Sequence, residues 1–164
     1  MKYFIALVSF FILSMTSKSQ VIPIETFTSL LGKELSYIDD AFTKNYRTEL
    51  DQVDEAKGVF SWKKGFNGDH SQNNQYIIYK KNDSTYEFLY GFVIDLYYGQ
   101  SNIKTYYEYY ENELSESKYK RLSDSIEDWG YKAIVKNYQF GKYIIKVGKL
   151  ASTNGAMIKV IQRL

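Results

Sequence analysis

The sequence contains no cysteine, one histidine and one proline among its 164 residues. Without cysteine the chain has no disulfide framework, no thiol nucleophile, no thiolate zinc site and no iron–sulfur cluster. A lone histidine excludes sites that need two imidazole ligands. The sequence also lacks the P-loop, G-x-G-x-x-G, G-x-S-x-G and H-E-x-x-H motifs. We therefore expect no metal and no cofactor.

The first 19 residues have the features of a secretory signal peptide. Lys2 precedes an uncharged apolar run, Tyr3 to Met15, which is shorter than the roughly 20 residues that a membrane-spanning helix needs. Ser17 and Ser19 are small residues at the −3 and −1 positions of a cleavage site before Gln20. The pattern predicts export to the periplasm or beyond, with no stable membrane insertion after cleavage. An uncleaved N-terminal anchor is the alternative.

Net charge is also scarce in this sequence. The full chain carries 21 basic and 19 acidic residues, a net charge of +2. Removing residues 1–19 takes away Lys2 and Lys18 and leaves a balanced chain. Global charge therefore gives no reason to expect nucleic-acid binding. Residues 20–164 are of a size that fits one domain.

Apolar periodicity predicts two helices and several strands in residues 20–164. Gly32 interrupts the first helical pattern and leaves one long helix or two short ones open. The segment from Ile103 to Tyr110 is ambiguous between a strand and the start of a helix, and residues 43–57 are interpreted as a loop. The predicted helices span Glu25–Phe42 and Glu113–Asp128, and the predicted strands span Gly58–Lys63, Tyr76–Tyr79, Ser84–Tyr98, Tyr131–Phe140, Lys142–Lys149 and Ala156–Arg163.

The best supported of these elements is a hairpin. A two-residue turn at Asn82-Asp83 would place Tyr79 opposite Tyr86. Alternate residues from Tyr86 onward are apolar or aromatic, which is typical of a strand with one face in the core. The length of the run predicts a bend or bulge near Gly91.

The order of these elements predicts an α+β fold, a mainly antiparallel sheet with two amphipathic helices packed on one face. Each half of the chain would contain a helix, a strand and then a hairpin. Tyr76-Ile77-Ile78 and Tyr143-Ile144-Ile145 occupy matching places in the two hairpins. A degenerate duplication of an α-β-β-β unit and a chance match both remain open.

Candidate catalytic groups are few. His70 lies in a polar loop beside Asp69, where a solvated turn histidine is the ordinary interpretation and a general base the alternative. Asp95 interrupts an apolar strand pattern. A carboxylate-dependent hydrolase would need two acids about 5–9.5 Å apart across a cleft, and the clustered glutamates are the candidates. They are Glu108, Glu111, Glu113 and Glu116.

Charge is distributed unevenly along the chain. Residues 129–164 contain seven basic residues and no acid, whereas residues 20–55 contain eight acids and three bases. Alternation in the last hairpin predicts one lysine-rich sheet face, suited to a protein partner with an acidic surface. A solvated face that discourages edge aggregation is the alternative. The candidate binding residues on this hairpin are Lys142, Lys146, Lys159 and Arg163.

Tyrosine is abundant, with 17 residues, and many of them fall between Tyr76 and Tyr110. Exposed tyrosines in excess of the core's needs are typical of interaction surfaces and can also stack on sugar rings. An aromatic core is the alternative. The candidate binding tyrosines are Tyr97, Tyr106, Tyr107, Tyr109 and Tyr110.

Taken together, these patterns predict an exported, non-catalytic protein-binding module. One concrete form is a periplasmic immunity or inhibitor protein that blocks an acidic toxin or enzyme. The alternatives are a carbohydrate- or envelope-binding protein that uses exposed tyrosines, and a small carboxylate-dependent hydrolase.

Overall fold

A computed structural model describes residues 21–64, 74–93, 101–129, 132–150 and 156–164. The predicted signal peptide lies outside these parts. They contain three α-helices, α1 Ile24–Leu30, α2 Leu35–Tyr46 and α3 Ser101–Leu114. The nine strands are β1 Glu49–Asp54, β2 Val59–Lys64, β3 Asn74–Lys81, β4 Thr85–Val93, β5 Lys120–Arg121, β6 Ser125–Asp128, β7 Lys132–Phe140, β8 Tyr143–Leu150 and β9 Ala156–Arg163.

All nine strands belong to one antiparallel sheet. Its order is β1-β2-β3-β4-β9-β8-β7-β5, with β6 also pairing with β7. The first four strands form a meander, and β4 then pairs with β9, the last strand of the chain. The chain is therefore α+β with a mainly antiparallel sheet, as the sequence predicts.

The core lies between the helices and one face of the sheet, which we call the inner face. Phe27 of α1 packs against Phe88 and Tyr90, with ring centroids 5.6 and 5.4 Å away. Phe42 of α2 contacts the Trp62 ring edge-on at 5.1 Å. Strand alternation brings Trp62, Phe88 and Tyr90 to the face that the helices cover. Offset or edge-on contacts stabilise such aromatic pairs beyond their buried area.

The first helical segment is two short helices, which resolves the open alternative. Helix α1 ends at Leu30, α2 begins at Leu35, and Gly32 between them adopts φ +79°. A side chain is strained in this left-handed region, and a Cβ at residue 32 would also lie 3.2 Å from the Tyr86 ring. The turn thus depends on glycine both for its backbone and for its close approach to β4.

The prediction of a helix over Glu113–Asp128 is wrong. Helix α3 covers the ambiguous segment 103–110 instead and ends at Leu114, and residues 125–128 form a strand. The Asn137 amide donates to the Ser123 carbonyl oxygen at 2.8 Å and to the Ser125 hydroxyl at 3.0 Å. These contacts hold residues 123–125 against β7, so strand pairing outweighs a weak helical pattern.

The hairpin of β3 and β4 forms with a register different from the predicted one. Tyr79 pairs with Phe88, two positions beyond the predicted partner Tyr86. The side-chain oxygen of Asn82 accepts hydrogen bonds from the backbone N–H groups of Ser84 and Thr85, which lengthens the turn. Because the shift is two positions, each side chain still points to the predicted face of the sheet. The pairing also passes through Gly91 without the predicted bulge.

Strand β1 is an element that the sequence did not predict. It lies at the edge of the sheet, nearly all of its residues are exposed, and it pairs with β2 through a register shift between Leu50 and Gln52. An exposed edge strand buries neither face, so it shows no apolar alternation. Charged side chains and an irregular register are usual at such edges.

Candidate functional site

Lys146 and Lys159 lie opposite each other on β8 and β9, on the face of the sheet that points away from the helices. We call this the outer face. The Lys146 ammonium is 2.6 Å from a Glu127 oxygen, and the Lys159 ammonium is 3.6 Å from a Glu87 oxygen. The exposed fraction of these four side chains is only 19–23%. Both lysines are therefore neutralised by acids of other strands: Lys159 by an acid of the adjacent strand β4, and Lys146 by an acid of β6, which lies beyond β7.

Trp129 covers this part of the outer face. Its ring lies directly over Gly148, where an added Cβ would be 2.7 Å from Cζ3. The indole N–H donates to Glu127 at 2.9 Å, and the Lys159 ammonium lies 5.2 Å from a ring centroid. Trp129 also packs against a small apolar cluster that contains Ala133 and Val135. A cross-strand layer of apolar contacts and ion pairs thus supports the outer face.

Glu127 is the acid with the most hydrogen bonds in this layer. Burial by itself would raise the pKa of Glu127. The hydrogen bonds that Lys146, Trp129 and Ser125 donate to its carboxylate outweigh burial and lower the pKa. Hydrogen bonds to the charged form favour ionisation, so Glu127 is held as a carboxylate. Glu127 consequently faces the Lys146 ammonium as a carboxylate.

Lys142 and Arg163, the other two predicted basic residues, lie at one end of the sheet and are exposed. The structure brings three further exposed cations to this end. Strand register places Lys142, Arg163 and the three further cations within the last three residue positions at this end of the sheet. The five residues, which we call the basic rim, are Lys80, Lys81, Lys120, Lys142 and Arg163.

The rim differs in charge from the centre of the outer face. Among the described residues, the ion pairs involve none of the five rim side chains. Asp83, exposed in the turn between Lys81 and Thr85, is the acid nearest to them in sequence. Six strands separated by roughly 4.8 Å each make the rim about 24 Å long. It is therefore a row of exposed cations that also contains two acids, Asp83 in the turn and Glu87 opposite Lys80.

Four aromatic rings, one buried and three half-buried, lie beneath the rim on the inner face. Tyr86 stacks on Tyr79 with ring centroids 6.4 Å apart, and Phe140 stacks on Tyr143 at the same distance. The ammonium groups of Lys81 and Lys142 lie 5.9 and 5.5 Å from the rings of Tyr86 and Tyr143. Two of the five rim cations are therefore in contact with aromatic rings at this end of the sheet.

Tyr79 is the most deeply buried of these rings. Burial raises the pKa of Tyr79 to about 12; the neighbouring Tyr86 adds to the shift, and a backbone hydrogen bond from Gly32 opposes it. The phenol is consequently neutral throughout the physiological range. Its role in this row is packing beneath the rim.

The predicted binding tyrosines are spread over different environments. Tyr110 is fully buried and its hydroxyl donates to the Ile22 carbonyl oxygen at 2.6 Å, while Tyr107 is half-buried beside Lys136. Tyr109 is 38% exposed on α3. Tyr97 and the side chain of Tyr106 lie outside the described residues.

The glutamates of α3 and of the turn after it are bound to separate partners. Glu111 forms an ion pair with Lys136, Glu113 accepts from the Ile24 N–H at 3.1 Å, and Glu116 pairs with Lys118. Burial raises the pKa of Glu113, and the nearby acids Glu25 and Glu116 add to the shift. The contacts of Glu113 serve to hold the start of α1. His70 and Asp95 lie outside the described residues.

Lys80, Lys81 and Lys120 were missed by the sequence reasoning. Lys80 and Lys81 follow the aromatic run of β3 directly, so their place at a strand end was readable from the sequence. Their proximity to Lys142 and Arg163 could not be predicted from the sequence, because it depends on β4 pairing with β9.

Comparisons with protein-family models, curated proteins and solved structures found no match to this chain. Among the described residues, no helix is both long and apolar enough to cross a membrane. In the same parts of the chain, no group of three or more histidines and acids is arranged to hold a metal ion.

Proposed function

We propose that this protein is an exported, non-catalytic module that binds the acidic surface of a partner protein through the basic rim. The observation that carries the proposal is the contrast in charge between two parts of the sheet. Lys146 and Lys159 are neutralised at its centre, whereas the rim presents five exposed cations that form no ion pair among the described residues. Charged patches of one sign speed the encounter with complementary surfaces and select among partners.

The size and composition of the rim support a protein partner. A standard interface covers about 800 Å² on each side, a patch about 28 Å across. The rim, about 24 Å long and about 10 Å wide, would span such a patch and form part of it. Arginine and aromatic residues are enriched at interface centres, and Arg163 is one of the five rim cations. The rim lysines Lys81 and Lys142 lie against the half-buried rings of Tyr86 and Tyr143. An immunity or inhibitor protein that covers an acidic enzyme or toxin is one concrete form of this function.

Charge reversal at the rim tests the proposal. In affinity capture from nuclease-treated extracts of the producing cells, the Lys81→Glu/Lys142→Glu protein should lose a specifically captured partner. The matched control is Lys132→Glu/Lys149→Glu, because both of these lysines are also exposed and carry the same charge. Calorimetry with the purified partner should reproduce the difference.

Two results would contradict the proposal. One is equal loss of the partner in the rim variant and the control variant, which would indicate a general charge effect. The other is a partner retained unchanged by the rim variant, or one whose contact surface is not acidic.

We further propose that the two halves of the chain derive from a duplication. Each half contains helical structure followed by a meander, and the last strands of the halves, β4 and β9, pair antiparallel at the centre of the sheet. This topology supports the proposal. The match between Tyr76 and Tyr143 does not, because Tyr76 lies on the outer face and Tyr143 on the inner face.

A further inference from the structure

Glu87 occupies a position from which it could neutralise the basic rim. It lies directly opposite Lys80 on the neighbouring strand, and both side chains point to the outer face. Its neighbour on β9 is Ile161, which places Lys159 and Arg163 on the two diagonals. Opposite residues have Cβ atoms about 4.5–5.5 Å apart, and diagonal residues are still within reach of long side chains. Glu87 is therefore surrounded by three cations, two of which belong to the rim.

The structure shows Glu87 paired with the one cation that is not in the rim. Its carboxylate lies 3.6 Å from the Lys159 ammonium, and the two side chains are 20% and 19% exposed. Lys159 is held in place from its other side by the Trp129 ring, 5.2 Å from the ammonium. Lys80 and Arg163 remain exposed, and neither takes part in an ion pair among the described residues.

We propose that Lys159 is a positioning residue that keeps Glu87 away from Lys80 and Arg163 and so preserves the charge of the rim. The inference deepens the proposed binding function and rests on it for its biological role. Its physical content is independent of any partner. Without Lys159, the Glu87 carboxylate turns to the nearest remaining cation, which is a member of the rim.

Lys146 provides a matched control for this role. It lies opposite Lys159, has a similar exposure and is also paired with a glutamate. Its partner Glu127, however, also accepts hydrogen bonds from Trp129 and Ser125. Glu127 belongs to β6, which lies on the side of the sheet away from Lys80. Removing either lysine deletes one positive charge from the outer face, but only removal of Lys159 releases an acid toward Lys80 and Arg163.

Chemical labelling tests the positioning role without a partner. Pulse labelling with acetic anhydride for Lys80 and phenylglyoxal for Arg163 is followed by mass spectrometry of the folded protein. In the Lys159→Met variant, one of the two groups should react about two- to fivefold more slowly, the range expected for an exposed ion pair. Lys146→Met should leave both rates unchanged, and Lys159→Arg, which can still bind Glu87, should match the wild type.

Adding Glu87→Gln to Lys159→Met should restore the labelling rate, because the competing carboxylate is then absent. Unchanged rates at both groups in Lys159→Met, or equal changes in Lys146→Met, would overturn the proposal. If Lys159→Met does not fold, Lys159→Gln replaces it in the same comparison.

A binding measurement separates this proposal from the proposed function. Poly-L-glutamate serves as an acidic polypeptide probe, titrated by calorimetry at low salt. The Lys159→Met variant should bind it about two- to fivefold more weakly than Lys146→Met, because a rim cation is lost in addition to the substituted one. Wild-type protein that does not bind the probe would count against the rim as a binding surface, while the labelling result would still decide the role of Lys159.

Discussion

The contact between Gly148 and Trp129 offers a direct test of how the outer face is built. A Cβ at residue 148 would lie 2.7 Å from Trp129 Cζ3 and 3.0 Å from Cη2, whereas ordinary contacts begin at 3.4 Å. In the Gly148→Ala variant, the indole and the β8 backbone must therefore move apart, by about 0.7 Å to reach ordinary contact, the difference between 3.4 and 2.7 Å. That movement disturbs the indole hydrogen bond to Glu127 and the contact with Lys159.

We expect Gly148→Ala to lower the free energy of unfolding by about 1–3 kcal/mol, the usual cost of adding atoms to a packed site. Urea denaturation followed by far-ultraviolet circular dichroism measures this change. Acrylamide quenching of tryptophan fluorescence should increase, because Trp62 is fully buried and Trp129 is the indole that moves.

Two controls make this test specific. Gly91→Ala adds the same methyl group on the same face, but its nearest neighbour is Met157 at an ordinary 3.5 Å, so it should cost much less. In a Trp129→Ala background, Gly148→Ala should lose most of its cost, since the clashing ring is absent. If the cost of Gly148→Ala persists without Trp129, contact with the indole ring is not its cause.

Three further changes test other parts of the fold. Glu113→Gln should stabilise the protein at pH 7 and have little effect near pH 4. Burial raises the native pKa of Glu113, so the stability that the wild type has with protonated Glu113 is lost as the pH rises through that pKa, whereas glutamine stays neutral. Urea midpoints at both pH values measure this difference, and destabilisation of the variant at pH 7 would contradict it. Tyr110→Phe should cost about 1–3 kcal/mol in unfolding free energy, because it leaves the buried Ile22 carbonyl without its 2.6 Å donor, and an unchanged melting curve would refute this. Gly58→Ala should cost more unfolding free energy than Gly141→Ala. Both glycines have positive φ, which costs a side chain about 1–2 kcal/mol, but only at Gly58 would the Cβ clash with a backbone oxygen, that of Lys81. Equal denaturation midpoints for the two variants would contradict the clash.

The distribution of charge on the sheet has a simple physical consequence for binding. Ion pairs such as Lys146–Glu127 are already satisfied within the chain, so a partner would have to compete with them. The rim cations avoid the competing carboxylate of Glu87 while Lys159 holds it. A binding surface can therefore be located by asking which charges remain uncompensated after the chain folds, and a count of lysines along a strand does not answer that question.

The amino-acid sequence by itself determined which face of each central strand enters the core. Alternating side chains along a strand point to opposite faces, so Phe88, Tyr90, Ile145 and Val160 could be assigned to the inner face from their positions alone. The structure shows all four buried there. Even the wrong hairpin register left this assignment intact, because the shift was two positions.

Only the tertiary structure decided what depends on strands distant in sequence. Residues 125–128 form a strand because β7 and the Asn137 side chain are present to pair with them. Lys159 is neutralised because β4 brings Glu87 beside it, and the rim exists because the ends of β3, β5, β8 and β9 meet. Local periodicity reports the direction of a side chain, whereas charge compensation depends on which strands become neighbours, and that is set by packing of the whole chain.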